Sequence, residues 1–246
     1  MKKFIAYFDF LGYKQFILNN DNEYIRRRIG HILRDLEVAL GLGKFKDTQY
    51  GVVSDIRNSN LHCLNISDTI ILWTKDDSSE SLQELLEVGF NFNFREVRYN
   101  NFPLRGAIVY GEIDLISHLY ESEQKGTYNI NSVYGKGLVN AHLIAESLNL
   151  SGCIIDKSVI ERIREFENWE TLIEKYATHY HVPHKDDIYL DEFIFRLYEN
   201  KTINEETFNN LSKEIISAFT ADNKKMNQRA IEIMSNTINF LKSFVE

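Results

Sequence analysis

A chain of 246 residues with 43% hydrophobic and 13% aromatic content has the material for one substantial core. Its formal net charge of -8 opposes non-specific duplex binding, which needs a basic surface to displace counterions. Two cysteines, Cys63 and Cys153, lie far apart inside apolar runs and read as buried free thiols of a reducing compartment, not as a disulfide. No stretch approaches the roughly 18 apolar residues of a membrane span. The start MKKFIAYFDF departs from the signal-peptide pattern because an acid interrupts the apolar run. A cytoplasmic location, without membrane or nucleic-acid partners, is expected.

The dense apolar run 2–9 (KKFIAYFD) predicts a buried strand, followed by a turn at Leu11-Gly12. Ile25, Ile29, Ile32, Leu33, Leu36 and Leu40 then fall on one stripe of a helix over 21–40, with Arg26-Arg27-Arg28 as part of its wet face and Gly41 and Gly43 after its end. Residues 61–66 and 69–74 predict a hairpin turning at Ser67-Asp68. A helix over 79–99 turns Leu82, Leu85, Leu86, Phe90 and Phe94 inward. Pro103 precedes a strand, LRGAIVYGEI, and the polar stretch ESEQKGTYNINS reads as an exposed loop or arm. Gly135-Lys136-Gly137 leads into a helix, and GCIIDK forms a short strand.

The order strand, helix, hairpin, helix, strand, loop, helix, strand predicts an α+β fold. It is close to the ferredoxin-like βαββαβ unit, with helices on a largely antiparallel sheet. Residues 1–200 would form this domain and 201–246 a helical extension packed on the domain or on a dimer mate. In the extension, Thr202 to Glu205 has a capping-box pattern, and a second helix is expected from about Asn223.

In this unit the first strand lies antiparallel beside the third, so Asp9 and Asp68 would meet. Either acid alone is explained as a turn cap. Two carboxylates a few ångströms apart repel unless a cation lies between them. Hard oxygen ligands suit Mg²⁺ or Mn²⁺.

The segment Tyr7-Phe8-Asp9-Phe10-Leu11-Gly12-Tyr13 resembles the first metal motif of class III adenylyl and guanylyl cyclases, and Ser67-Asp68 resembles the second. Leu104-Arg105-Gly106 with Gly111 is similar to the strand whose arginine grips the triphosphate. Tyr134-Gly135 through Val139-Asn140, before a helix carrying Glu146, is similar to the region that supplies the transition-state asparagine. The resemblance spans roughly residues 3–195. It implies a cyclase making a 3′,5′-cyclic nucleotide and pyrophosphate from a nucleoside triphosphate. It further implies two Mg²⁺ or Mn²⁺ ions on Asp9, Asp68 and the Phe10 carbonyl, and a phosphate-binding turn at Phe10, Leu11, Gly12 and Tyr13. Arg105 and Asn140 would be catalytic, with the asparagine supplied across a homodimer.

Two positions depart from the usual pattern. Ile144 stands where these cyclases carry an arginine four residues after the asparagine, leaving His142 or Lys136 as substitutes or as ordinary surface residues. Leu64 stands where purine cyclases carry a base-reading Lys or Glu. With the compact layout and helical tail, this looks like the bacterial pyrimidine cyclases of anti-phage Pycsar systems, which make cyclic UMP or cyclic CMP for a separate effector. Tyr50 or Asn65 could contact a pyrimidine base, or could be a strand tyrosine and a turn asparagine. The alternatives are a purine cyclase, an inactive cyclase-fold signalling dimer and, lower, a palm-type nucleotidyl transferase. His179, His181 and His184 are expected as exposed imidazoles at a strand end and not as a zinc site, and Lys185 as a solvated loop lysine or a triphosphate contact.

Overall fold

Period-two alternation along the first strand decides which groups meet in this fold. The structure, a computed structural model, describes residues 1–246. In β1 (Lys2–Phe10), Phe4, Ala6, Phe8 and Phe10 enter one core, whereas Ile5 and Tyr7 enter a second on the opposite face of the sheet. Asp9 shares parity, and therefore a face, with Ile5 and Tyr7.

The chain continues through α1 (Tyr13–Asn19), α2 (Asn22–Leu40) and a small hairpin, β2 (Phe45–Thr48) and β3 (Gly51–Ser54). Next come β4 (Leu61–Ile66), β5 (Thr69–Thr74), α3 (Ser79–Arg98) and β6 (Leu104–Glu112). A second hairpin, β7 (Asp114–Glu121) and β8 (Thr127–Tyr134), precedes α4 (Lys136–Ser147), β9 (Gly152–Ile155), α5 (Lys157–Ile163) and α6 (Trp169–Glu174). The chain ends with β10 (Ala177–Pro183), β11 (Tyr189–Phe195), α7 (Glu205–Thr220) and α8 (Gln228–Lys242). No helix is long and apolar enough to cross a membrane.

The main sheet has the order β10-β11-β9-β6-β1-β5-β4, antiparallel except at β6–β9. The expected α+β architecture is present, with β1 antiparallel to β5 on one side and to β6 on the other. Helices α1, α2, α3, α5 and α6 bury their apolar stripes on one face, and α4 packs on the other through Ala141 and Ala145. A close glycine contact seats α4: a Cβ at Gly111 would lie 2.6 Å from the Gly137 Cα. The tail helices α7 and α8 share a core with Ile154, Val182 and Ile194 of the β9, β10 and β11 strands.

Several local expectations are corrected. The polar stretch after β7 is the turn and second strand of an exposed hairpin, which carries its own ladder. The cap of α7 is Asn204, whose side chain accepts from the Thr207 N–H at 2.8 Å, in place of a Thr202–Glu205 box. Helix α8 starts at Gln228, capped by Asn227, and not near Asn223, which with Asp222 adopts a positive φ. Arg28 leaves the wet face of α2: it is buried, with Nη2 3.0 Å from Asp222 of the tail. Both cysteines are free, Cys153 buried and Cys63 only partly so.

Candidate active site

Asp9 lies opposite Arg105 on β6 and Thr69 on β5, and Asp68 occupies the turn just before Thr69. Arg105 and Thr69, the residues paired with Asp9, share its face and look towards α4, and Asp68 reaches the same space from the turn. Tyr7, Asp9, Asp68, Arg105, His142 and Glu146 line a cleft of about 380 Å³. The two acids, 59 residues apart in sequence, thus face one space.

Arg105 donates from Nη2 to Asp9 Oδ2 at 2.6 Å and from Nη1 to the Glu146 carbonyl at 3.2 Å, while its buried Nε–H has no partner. Burial pushes the Asp9 carboxyl above the ordinary range, with the nearby Asp68 charge adding to it, against the pull of Arg105. Burial also raises the Tyr7 hydroxyl, which lies 3.1 Å from His142 Nδ1 and 3.4 Å from Thr69 Oγ1. Glu146 is held low by Lys185, whose Nζ lies 2.9 Å from its Oε1.

The donor set fits a hard divalent cation. Phe10 donates its N–H to the Asp68 carbonyl at 3.0 Å, but the Asp68 N–H does not return the bond. The Phe10 carbonyl beside the acids therefore lacks the partner that a continuing ladder would give it. No group of three His, Cys, Asp or Glu side chains is arranged for a metal. Two carboxylates and one carbonyl form a sparse oxygen set, which suits Mg²⁺ or Mn²⁺ because these ions retain water and take phosphate oxygens.

The expected phosphate turn is only partly available. The Phe10 and Leu11 N–H groups are taken by the carbonyls of Asp68 and Pro103, so the Leu11 donor expected for phosphate is spent. Gly12 sits at φ 81 before α1, and its N–H makes no main-chain bond. Tyr13 stacks on Phe10, and burial raises its hydroxyl.

Other sequence candidates lie apart from the cleft. Asn140 is exposed on α4, near exposed Val139 and Leu143, and is not among the residues lining the Asp9–Asp68 cleft. Leu64 packs at the edge of the α4 face. Asn65 spends its amide on the Ser67 and Thr69 carbonyls, as a turn residue does. Tyr50, 90% exposed in the β2–β3 turn, is not among the residues lining the Asp9–Asp68 cleft. Ile144 is packed between two cores, and Lys136 is exposed at the start of α4.

His179 and His181 are exposed as expected, but His184 is buried between Ser147 Oγ and Glu192 Oε2, each at 2.8 Å. His142, read from sequence as a possible substitute or a surface residue, and Tyr7 are the site residues that sequence reasoning undervalued. The available signal was the i, i+4 spacing of His142 and Glu146 on a helix facing the odd residues of β1.

No family model matches this sequence, and no curated protein does. Solved structures do. The catalytic core of a rhodopsin-guanylyl cyclase with converted specificity, in complex with ATPαS, superposes with a TM-score of 0.51 at 6% identity, covering 79% of this chain and 94% of that one. The adenylyl cyclase CyaB from P. aeruginosa gives 0.49 at 9% identity, covering 81% and 96%. At such identities the first likeness bears on architecture alone: the protein has the fold of class III nucleotide cyclase catalytic domains.

Proposed function

We propose that the protein is a nucleotide cyclase, converting a nucleoside triphosphate to its 3′,5′-cyclic monophosphate and pyrophosphate. One observation carries the reading: within this fold, Asp9 and Asp68 share a cleft with Arg105. Asp9, Asp68 and the Phe10 carbonyl would hold Mg²⁺ or Mn²⁺, which supplies Lewis acidity towards the ribose 3′-hydroxyl and neutralises charge on the leaving pyrophosphate. Arg105 presents a fixed donor fork next to Asp9, and transferring one arm from the carboxylate to the triphosphate would hold the substrate against the acids. Phosphoryl transfer asks for alignment and charge stabilisation, so no side-chain nucleophile is required.

A homodimer fits the placement of Asn140. Its helix face carries exposed Val139 and Leu143, and the β7–β8 hairpin exposes Leu119, Tyr120 and Tyr128, an apolar surface that a second copy would cover. Asn140 would then enter the partner's cleft. An apolar Leu64 at the base-reading position supports UTP or CTP over ATP or GTP. A cyclic pyrimidine nucleotide would act on a separate effector, in the manner of anti-phage signalling.

The test is incubation of the pure protein with Mn²⁺ and each of the four nucleoside triphosphates, with mass spectrometry of the products. A cyclic nucleotide from the wild type, lost in a folded Asp68→Asn variant, is expected. Preference for ATP or GTP removes the pyrimidine claim. Nucleotide binding without any product leaves a non-catalytic signalling dimer.

A further inference from the structure

The tail brings cations to the far side of Arg105. A second cavity, of about 220 Å³, is lined by Leu11, Gly12 and Arg105 from the domain and by Lys224, Lys225 and Arg229 from the segment between α7 and α8 and the first turn of α8. Four of its lining residues are cationic and none is acidic, in a chain with 36 acidic and 28 basic residues. A single-sign cluster in a cavity focuses the local potential whatever the net charge of the molecule.

The four cations are not equivalent. Lys224 is buried and already satisfied, with Nζ donating to the Asn101 and Ala218 carbonyls at 2.5 and 2.7 Å. Its aliphatic stem lies behind Gly12, where a Cβ would come within 2.8 Å of the Lys224 Cδ. Lys224 is therefore a positioning residue that holds the tail to the turn. Asn20 and Tyr24 fasten the same segment through the Asp222 carbonyl and carboxylate, at 2.8 and 2.6 Å. Lys225 and Arg229, by contrast, are exposed, and their charged ends have no acidic or hydrogen-bonding partner. Lys225 is oriented by its own N–H, which donates to the Gln15 side chain at 2.5 Å. The buried Arg105 Nε–H is likewise without a partner.

We propose that Lys225 and Arg229 form a polyphosphate subsite, binding the terminal phosphates of the substrate and the pyrophosphate product beside Arg105, which lines both this cavity and the Asp9–Asp68 cleft. This rests on the cyclase reading for its substrate but not for its chemistry, which is recognition of a small polyanion. The volume supports that class: it lies below the roughly 300–1,000 Å³ of pockets that enclose a drug-sized ligand, so it suits phosphate groups and leaves the nucleoside outside. Joining substrate binding to the tail also makes α7 and α8 part of the site.

The experiment is calorimetric titration of the full chain with inorganic tripolyphosphate, without divalent metal, over a range of salt. Lys225→Glu/Arg229→Glu is expected to weaken binding at least tenfold and to flatten its salt dependence. Lys225→Arg/Arg229→Lys should retain binding. Lys213→Glu/Lys242→Glu makes the same charge change on exposed faces of α7 and α8 elsewhere and should bind as wild type. Absence of wild-type binding, equal affinity in the first double variant, or an equal loss in the Lys213/Lys242 control overturns the proposal. A wild type that binds tripolyphosphate here yet makes no cyclic nucleotide keeps the subsite and removes the cyclase reading. Turnover that the first double variant leaves unchanged, in kcat and KM alike, does the reverse.

Discussion

A methyl group at Gly111 tests how α4 holds the cleft. The added Cβ would stand 2.6 Å from the Gly137 Cα, whereas carbon pairs rest at about 3.5–4.0 Å, so helix and strand must part by about 1 Å. Overpacking of this kind costs about 1–3 kcal/mol. In a protein of this size each kcal/mol moves Tm by about 2–4 °C, so Gly111→Ala should melt about 2–12 °C below wild type. The same shift carries His142 off the Tyr7 hydroxyl, 3.1 Å away, and moves Glu146 from Arg105, so turnover should fall about a hundredfold. Calorimetry and cyclic-nucleotide production are measured on the same preparation. Gly30→Ala is the control: nothing lies within 4 Å of its Cβ, it sits inside α2, and it should gain about 0.5–1 kcal/mol. If Gly111→Ala melts with wild type and turns over normally, the close seating of α4 on β6 is refuted.

Asp222→Ala should lower Tm by roughly 10 °C. It leaves Arg28 buried without its countercharge, at a cost of about 3–5 kcal/mol for a pair only 10% and 4% exposed. Arg28→Met/Asp222→Ala should recover most of the loss, and equal melting of the single and double variants would contradict the buried pair. Burial pushes the Cys63 thiol up to about 12 and the Cys153 thiol well above its ordinary value. At pH 8 both should react with a disulfide reagent far more slowly than free cysteine, the partly exposed Cys63 ahead of the buried Cys153, and both promptly after unfolding in guanidinium. One fast thiol in the native protein would show that its burial is wrongly described.

Much of the fold is legible in the linear pattern because it depends on short-range periodicity. The runs that became β1, β4, β5 and β6 announce themselves by apolar density, and α2 and α3 by their stripes. Antiparallel pairing is enough to bring Asp9 and Asp68 near each other, since strand neighbours follow from hairpin and crossover connections. The turn after Ser67 brings Asp68, one residue out of phase with Thr69, into the cleft. The hairpins β2–β3 and β7–β8 lack the apolar signal: largely solvated strands have no buried face to impose alternation.

Tertiary structure alone decided the rest. A triple arginine on a helix gives no sign that Arg28 has a partner 194 residues away, and three spaced histidines do not reveal that only His184 is enclosed. The meeting of Lys225 and Arg229 with the Gly12 turn likewise depends on where α7 and α8 pack against the sheet. Periodicity selects which face of an element is apolar. Which distant element covers that face, and so which polar groups come to share its rim, is set by the packing of the whole chain.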